Sequence, residues 1–223
     1  MSADFPGHLK GLFAFAALRL CVSSCSLAAM RITGGRLGGR VLVAPEDAAV
    51  RPTSDKVRQA VFNMLAHKDF GIGFALEGAR VIDLFAGTGA MGIEALSHGA
   101  TFCLLVEERA ESRALIRRNV EALQLTGDTK IWRRDATQLG PMGPGAGGPF
   151  TLAFLDPPYR RNLIAASLAS LVEGNWLAPQ ALIVAECAED ETLKIPATFE
   201  TLDSRIYGTT RTTFFSWSLQ LRS

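Results

Sequence analysis

The sequence of 223 residues predicts an α/β protein built on a mostly parallel sheet. Short apolar runs rich in β-branched residues alternate with segments of helical spacing, which is typical of parallel strands joined by crossover helices. A glycine-rich turn connects the first strand to its helix, as in crossovers that bind nucleotides. The last two strand segments have no helix between them, so we expect a hairpin at the edge of the sheet.

The predicted elements begin with a small arm. Residues 31–43 alternate around two glycine pairs and are predicted to form a hairpin-like arm. A helix follows, capped by Thr53 or Ser54 and running to about residue 65. Strands are predicted near residues 80–85, 102–107, 129–133, 151–156, 181–186, 199–206 and 212–219. Helices are predicted near residues 90–98, 109–124 and 161–173.

The composition is that of a globular protein. Hydrophobic residues make up 48% of the chain, and its length suits one domain with a proper core. A net charge of +1 does not indicate a nucleic-acid-binding protein, so any surface for a nucleic acid must be a local patch. The four cysteines have no metal-ligand spacing, so we expect reduced thiols, no metal site and a cytoplasmic protein.

The first 29 residues differ from the rest of the chain. Residues 11–29 are rich in Ala, Leu, Phe and Ser, and with Lys10 before them they are similar to the apolar region of a signal peptide. Arg19 interrupts this region, and its longest clean run is shorter than a membrane span. We therefore expect these residues to result from a translation start assigned too far upstream, or to form a poorly ordered tail. One domain is predicted over residues 30–223, with the arm and first helix at 30–68 and the core at 78–220.

The sequence LDPPY at residues 155–159 follows a buried type of strand. Its two prolines stiffen the turn, because each ring fixes φ and removes a backbone N–H, and nearby carbonyls are then left to accept hydrogen bonds. Asp156 adds a carboxylate and Tyr159 adds a flat face, so this corner could hold a planar group that carries an NH2, such as an aminated nucleobase. The alternative is an ordinary strand-ending turn with a tyrosine at its rim.

The glycine-rich turn follows the strand near residues 80–85 and opens a helix. Its glycines, Gly87, Gly89 and Gly92, allow a tight turn and a close approach of the backbone to a ligand. Asp83 lies inside the strand, where an unpaired carboxylate is costly, so we expect it to organise the loop or to bind an ammonium. A dinucleotide site usually has an apolar residue there, which disfavours a Rossmann dehydrogenase.

Four acids lie at the carboxyl ends of successive strands, or just within them: Asp83, Glu107, Asp135 and Asp156. Ligands of open α/β sheets bind at those ends. Glu107 lies 18 residues after Gly89, near the spacing at which an acid binds ribose hydroxyls, and Asp135 is placed to accept from an adenine amine. Acids also follow strands as helix N-caps, which is the alternative for any one of the four.

Together these motifs resemble those of class I S-adenosylmethionine-dependent methyltransferases. More narrowly, residues 30–218 are similar to the bacterial family that methylates the N2 amine of one guanine in 16S ribosomal RNA. The narrow match rests on MRITGGRLGGR at residues 30–40 and RPTSDKVRQAVFNML at residues 51–65. The resemblance implies a doubly wound, Rossmann-like sheet of seven strands with a final antiparallel partner.

The resemblance also implies roles for individual residues. The residues that would bind S-adenosylmethionine are Asp83, Phe85, Gly87, Gly89, Glu107, Asp135 and Ala136. The catalytic residues would be Asp156, Pro157 and Tyr159, with the side chain of Asp156 and the carbonyl of Pro157 accepting hydrogen bonds from the target amine.

A local basic patch is predicted on the arm and the first helix. It comprises Arg31, Arg36, Arg40, Arg51, Lys56 and Arg58. Phosphate contacts there would position RNA without reading its sequence, and a solvated charged face is the alternative. Arg51 is also expected to help close the cofactor pocket. Arg160 and Arg161 follow the LDPPY corner and could hold the phosphates beside the target.

The sequence therefore predicts a monomeric, cytoplasmic enzyme without membrane contact, whose partner is 16S ribosomal RNA in the small subunit or its assembly intermediate. One alternative is an amino methyltransferase that acts on adenine N6 of DNA, on another RNA or on a protein glutamine, since the LDPPY corner suits any NH2 group. Another is a cofactor-binding module without catalysis, which the intact set of four acids disfavours.

Overall fold

The computed structural model describes Met1, residues 30–45 and residues 53–218. The helices are α1 (Thr53–His67), α2 (Ala90–Ser97), α3 (Ala110–Ala122) and α4 (Leu163–Glu173). The strands are β1 (Arg80–Leu84), β2 (Phe102–Val106), β3 (Thr129–Trp132), β4 (Phe150–Leu155), β5 (Leu177–Ala188), β6 (Phe199–Tyr207) and β7 (Thr210–Trp217). The predictions for residues 2–29, for Arg51 and for the cap of α1 by a Thr53 or Ser54 side chain lie outside what is described.

Within the described residues, seven strands form one sheet in the order β3-β2-β1-β4-β5-β7-β6. The first five strands of this order pair in parallel. β7 pairs antiparallel with β5, and β6 pairs antiparallel with β7. The predicted α/β fold, with a mostly parallel sheet and a C-terminal antiparallel hairpin, is confirmed. β5 is longer than the strand predicted near residues 181–186, because it already begins at Leu177.

Helices cover both faces of the sheet, as expected of a doubly wound fold. On one face the buried side chains of α1, α2 and α3 pack together, among them Val61, Ile93 and Ile116. On the other face α4 packs through Leu168 and Leu171. Because successive strand residues point to opposite faces, each central strand supplies both cores and reads as a continuous apolar run.

The order of the strands reverses between β1 and β4. The chain builds β1, β2 and β3 in one direction and then crosses to place β4 on the other side of β1. Leu84 lies opposite Leu155 in this parallel pair, so the chain segments that follow the two strands begin side by side. Such a reversal opens a crevice at the carboxyl ends of the strands, where ligands of these sheets bind.

Close packing of α2 on the sheet depends on Gly92. A Cβ atom at this position would lie 2.5 Å from Cys103 Sγ and 2.8 Å from Leu105 Cδ2. The N–H of Gly92 donates to Oδ2 of Asp83 at 3.0 Å. The last glycine of the turn therefore lets the helix approach β1 and β2 closely, and Asp83 fixes where the helix begins.

The arm is attached to the core through the carboxylate of Glu94, which is fully buried on α2. Glu94 Oε1 accepts the backbone N–H groups of Thr33 and Gly34, each at 2.8 Å, and the Thr33 hydroxyl at 2.7 Å. Between Arg31 and Val41, which form an antiparallel bridge, the arm turns through a short 3₁₀ helix at Gly35–Leu37. The predicted hairpin-like arm is thus one bridged loop that encloses a helical turn.

Arg58 does not belong to the predicted basic patch. Only 3% of this residue is exposed, and its Nε donates to Glu94 Oε2 at 3.0 Å. Its guanidinium also donates to Asp55 and to the carbonyl of Arg31. The patch prediction was wrong for this residue, because the cation neutralises the buried carboxylate and joins α1 to the arm.

The two edge strands of the sheet, β6 and β3, differ in length and regularity. β6 is largely exposed, its register with β7 shifts between Thr201 and Asp203, and Asp203 forms ion pairs with Lys68 and Arg205. At the opposite border β3 has only four residues. No helix of the described residues is long and apolar enough to cross a membrane.

We expect Glu94→Gln to destabilise the protein by up to about 3–5 kcal/mol, because the change removes the buried carboxylate that pairs with Arg58 and leaves the cation only the partly exposed Asp55. Urea unfolding measures the loss of stability. Hydrogen exchange measures the protection of the Thr33 and Gly34 amides, which should fall further than that of amides in the central strands.

The matched control is Asp128→Asn, which removes the exposed ion pair with Arg36 at 3.7 Å. A surface pair of this kind contributes at most about 1 kcal/mol. Equal losses in the two variants would contradict the role given to Glu94.

Candidate active site

Two adjoining cavities lie at the carboxyl ends of the parallel strands. The larger has a volume of about 620 Å³ and the smaller about 210 Å³. Four residues line both: Phe85, Gly87, Asp156 and Tyr159. The glycine turn and the LDPPY corner, which are about 70 residues apart in the sequence, therefore form the passage between the cavities.

Glu107 lines the larger cavity and holds the glycine turn in place. It is 8% exposed; its Oε2 accepts the N–H of Gly87 at 2.9 Å, and its Oε1 accepts that of Arg109 at 2.8 Å. A carboxylate has about four acceptor positions, so these bonds leave capacity for donors from the cavity. A ribose diol would fit such an acceptor, and binding of the ribose by Glu107 stays a prediction.

Asp135 and Ala136 line the larger cavity together with Glu107. Asp135 Oδ1 accepts the N–H of Thr137 at 2.8 Å and the Thr137 hydroxyl at 2.7 Å. Both bonds use one oxygen and fix the orientation of the carboxylate. A carboxylate oriented in this way fits an adenine amine, and binding of the adenine by Asp135 stays a prediction.

Three carboxylates line the smaller cavity: Asp83, Asp156 and Glu186. Burial raises the pKa of Asp83 to about 7; the N–H of Gly92 lowers that pKa, and the charges of Asp156 and Glu107 raise it. Because acidic side chains are concentrated here, a cationic group such as an ammonium or a sulfonium would be stabilised.

Phe85 adopts a left-handed backbone conformation with φ of 61°. Residues other than glycine rarely adopt this conformation, and strain of this kind is concentrated at functional sites. Gly87 and Gly89 follow with φ of 56° and 80°, where their lack of a side chain makes the turn possible. The chain thus reverses sharply after β1, and Phe85 is directed to the passage between the cavities.

At the LDPPY corner the ring of Tyr159 is fixed by its hydroxyl, which lies 3.0 Å from the Thr210 hydroxyl. Pro157 is buried and Asp156 is exposed to solvent. The corner therefore presents a carboxylate and a half-buried aromatic face to both cavities.

The predicted RNA-binding residues lie in two regions. Arg31, Arg36, Arg40 and Lys56 are exposed on the arm and on α1, whereas Arg51 lies outside the described residues. Arg161 lines the larger cavity. Arg160 is exposed, and its Nη2 lies 3.1 Å from Oδ2 of Asp190.

Glu186 and Thr210 were not among the predicted site residues. Glu186 lies in β5 directly after the apolar residues 181–185, so it interrupts a buried run as Asp83 does, and that signal could have identified it. Thr210 begins β7, and no sequence pattern distinguishes it.

The sheet order, the glycine turn and the acids along one edge define the class I methyltransferase fold. The chain belongs to the family described as conserved hypothetical protein 95, whose model matches residues 30–216. The Bacillus subtilis (strain 168) protein YlbH is 36% identical over 169 residues, which are 76% of this chain and 87% of YlbH. Ribosomal RNA small subunit methyltransferase D of Escherichia coli (strain K12) is 35% identical over 181 residues, 80% of this chain and 85% of that protein.

Among solved structures, the Escherichia coli protein yhhF is similar, with a TM-score of 0.70 and 29% sequence identity. The match covers 86% of this chain and 99% of yhhF.

The buried Asp83 predicts how stability depends on pH. Its carboxyl group keeps a proton up to about pH 7 when folded but loses it near 3.8 when unfolded. The folded state therefore binds more protons between these values, and the free energy of unfolding decreases as pH rises through this window. Asp83→Asn should remove up to about 1.4 kcal/mol per pH unit from that decrease.

Urea unfolding at a series of pH values from 4 to about 8 measures this slope. Glu200→Gln, which changes an exposed acid on β6, serves as the control and should leave the slope unchanged. A slope for Asp83→Asn equal to that of the parent would refute the elevated pKa.

Proposed function

We propose that the protein transfers a methyl group from S-adenosylmethionine to the exocyclic N2 amine of a guanine in 16S ribosomal RNA. The observation that carries this proposal is the pair of adjoining cavities, with Asp156 and Tyr159 at the passage between them. A donor held by the glycine turn would lie next to an amine held by the LDPPY corner. The name of the Escherichia coli relative supports ribosomal RNA of the small subunit as the substrate.

The residues of the two cavities fit S-adenosylmethionine. In the larger cavity Glu107 would accept the ribose hydroxyls, and Asp135 with Ala136 would hold the adenine. In the smaller cavity Asp83 would organise the methionine end, where Gly87 and Gly89 leave the backbone accessible. The bound sulfonium supplies an electrophilic methyl group, so the protein has mainly to position the acceptor.

The acceptor nitrogen is a weak nucleophile because its lone pair is delocalised into the purine ring. Asp156 and the Pro157 carbonyl would accept its N–H bonds and turn the lone pair toward the methyl group. As the C–N bond forms and the C–S bond breaks, the nitrogen becomes positive and then loses a proton. Asp156 would stabilise that charge more in the transition state than in the ground state, and it is exposed, so the proton can pass to water.

The target base has to leave its stack to reach this corner. Stacking on Tyr159 offsets part of that cost, at about 1–3 kcal/mol per base. The hydrogen bond to Thr210 holds the ring ready before the base arrives.

The RNA would be contacted by the exposed residues Arg31, Arg36, Arg40 and Lys56, with Arg160 and Arg161 beside the target. We further propose that the substrate is the small subunit or its assembly intermediate, and that the protein acts as a cytoplasmic monomer.

The direct test is incubation with labelled S-adenosylmethionine and small-subunit particles that lack the modification, followed by mapping of the labelled nucleotide. Label at the N2 position of a single guanine is expected. Label on adenine, on protein or on DNA instead would disprove the proposal.

Asp156→Ala should abolish methyl transfer, because the acceptor of the amine protons is lost, while cofactor affinity changes little. Single-turnover rates and calorimetric cofactor titrations separate the two quantities. A rate of methyl transfer equal to that of the parent protein would show that Asp156 is not the acceptor of the amine protons.

Tyr159→Ala and Tyr159→Phe separate the ring from its hydroxyl. The alanine variant should lose about 1–3 kcal/mol of stacking, which corresponds to roughly 5- to 150-fold in kcat/KM for the RNA. The phenylalanine variant keeps the stacking face and should lose much less. Equal losses in both would show that the hydroxyl, not the face, matters.

A further inference from the structure

We infer that Glu186 selects guanine over other purines by accepting the N1–H of the target base. This inference rests on the proposed function, and it assigns to β5 a role beyond that of the LDPPY corner.

The geometry follows from the pairing of β4 with β5. Leu155 lies opposite Ala185 in parallel register, so Asp156 and Glu186 occupy the next pair of positions. Paired residues of neighbouring parallel strands point to the same face, and their backbones are about 4.8 Å apart. Both residues line the smaller cavity, so two carboxylates lie side by side on one wall.

Guanine offers two neighbouring donors to this pair of acceptors. N1–H and the N2 amine are neighbours on one edge of the base, and a carboxylate accepts hydrogen bonds without donating any when it is ionised. With the amine at Asp156, the N1–H is directed along the wall toward the position of Glu186. The two carboxylates would thus contact two adjacent donors.

Adenine cannot make the same pair of contacts. Its N6 amine could occupy the corner, but the neighbouring N1 is an acceptor and would face a carboxylate. Leaving such polar groups unpaired in a closed site is what gives enzymes strong discrimination between similar substrates. Glu186 would therefore reject the adenine substrates that the LDPPY corner alone would accept.

The other carboxylate of the cavity is less suited to this contact. Asp83 is only 2% exposed, so a base in the cavity can hardly reach it. Glu186 is half-buried and has the longer side chain. Thr210 also lines this cavity, and its hydroxyl lies 3.0 Å from that of Tyr159, the stacking ring.

The experiment uses particles in which the target guanine is replaced by 2-aminopurine. This base keeps the N2 amine but has an unprotonated N1 and no O6. The parent protein should methylate 2-aminopurine on the order of 10- to 100-fold more slowly than guanine.

Glu186→Gln should reverse this preference in part. The variant should lose activity on guanine and gain activity on 2-aminopurine, because the amide NH2 can donate to the unprotonated N1. The gain isolates the N1 contact, since O6 is absent from 2-aminopurine with either protein. Glu189→Gln, an exposed change just beyond β5, is the matched control and should leave both rates unchanged.

The outcomes separate the inference from the proposed function. Parent-level preference in Glu186→Gln, or equal losses on both bases, would overturn the inference alone. Equal parent rates on guanine and 2-aminopurine would do the same without any variant, so the test does not depend on whether the substitution folds. A parent protein inactive on guanine would overturn the proposed function and the inference with it.

Discussion

The parallel pairing of β1 with β4 is the constraint on which the site depends. Leu84 opposite Leu155 places Phe85 next to Asp156, and this register brings the glycine turn and the LDPPY corner to the same cavities. A slip by one residue would turn Asp83 to the opposite face of the sheet. The apolar packing on both faces resists such a slip, so the core determines the geometry of the polar edge.

Buried carboxylates hold the glycine turn and the arm in place. Glu107 and Glu94 each accept backbone N–H groups from a distant segment, the first from the glycine turn and the second from the arm. Burying such a charge is costly unless hydrogen bonds compensate, and here the bonds also specify where a loop lies. Asp83 differs from these two residues, because burial raises its pKa to about 7.

Much of the fold and part of the site could be predicted from the sequence. Continuous apolar runs identified the central strands, and the motifs at residues 86–92 and 155–159 marked the edge where the cavities lie. Glu186 could have been noticed as an acid that interrupts an apolar run, but its place beside Asp156 depends on the register of β5, which no local pattern specifies. Arg58 was placed on the surface because a positive charge in a sequence does not reveal a buried partner 36 residues further along the chain, such as Glu94.

The borders of the sheet have a consequence for the behaviour of the molecule in concentrated solution. An open sheet ends in unpaired backbone groups that can recruit a strand from another molecule. Here one border is too short to offer a long template, and the other is kinked by its shifted register and carries Asp203 and Arg205. Both edges of the sheet therefore oppose self-association by strand addition.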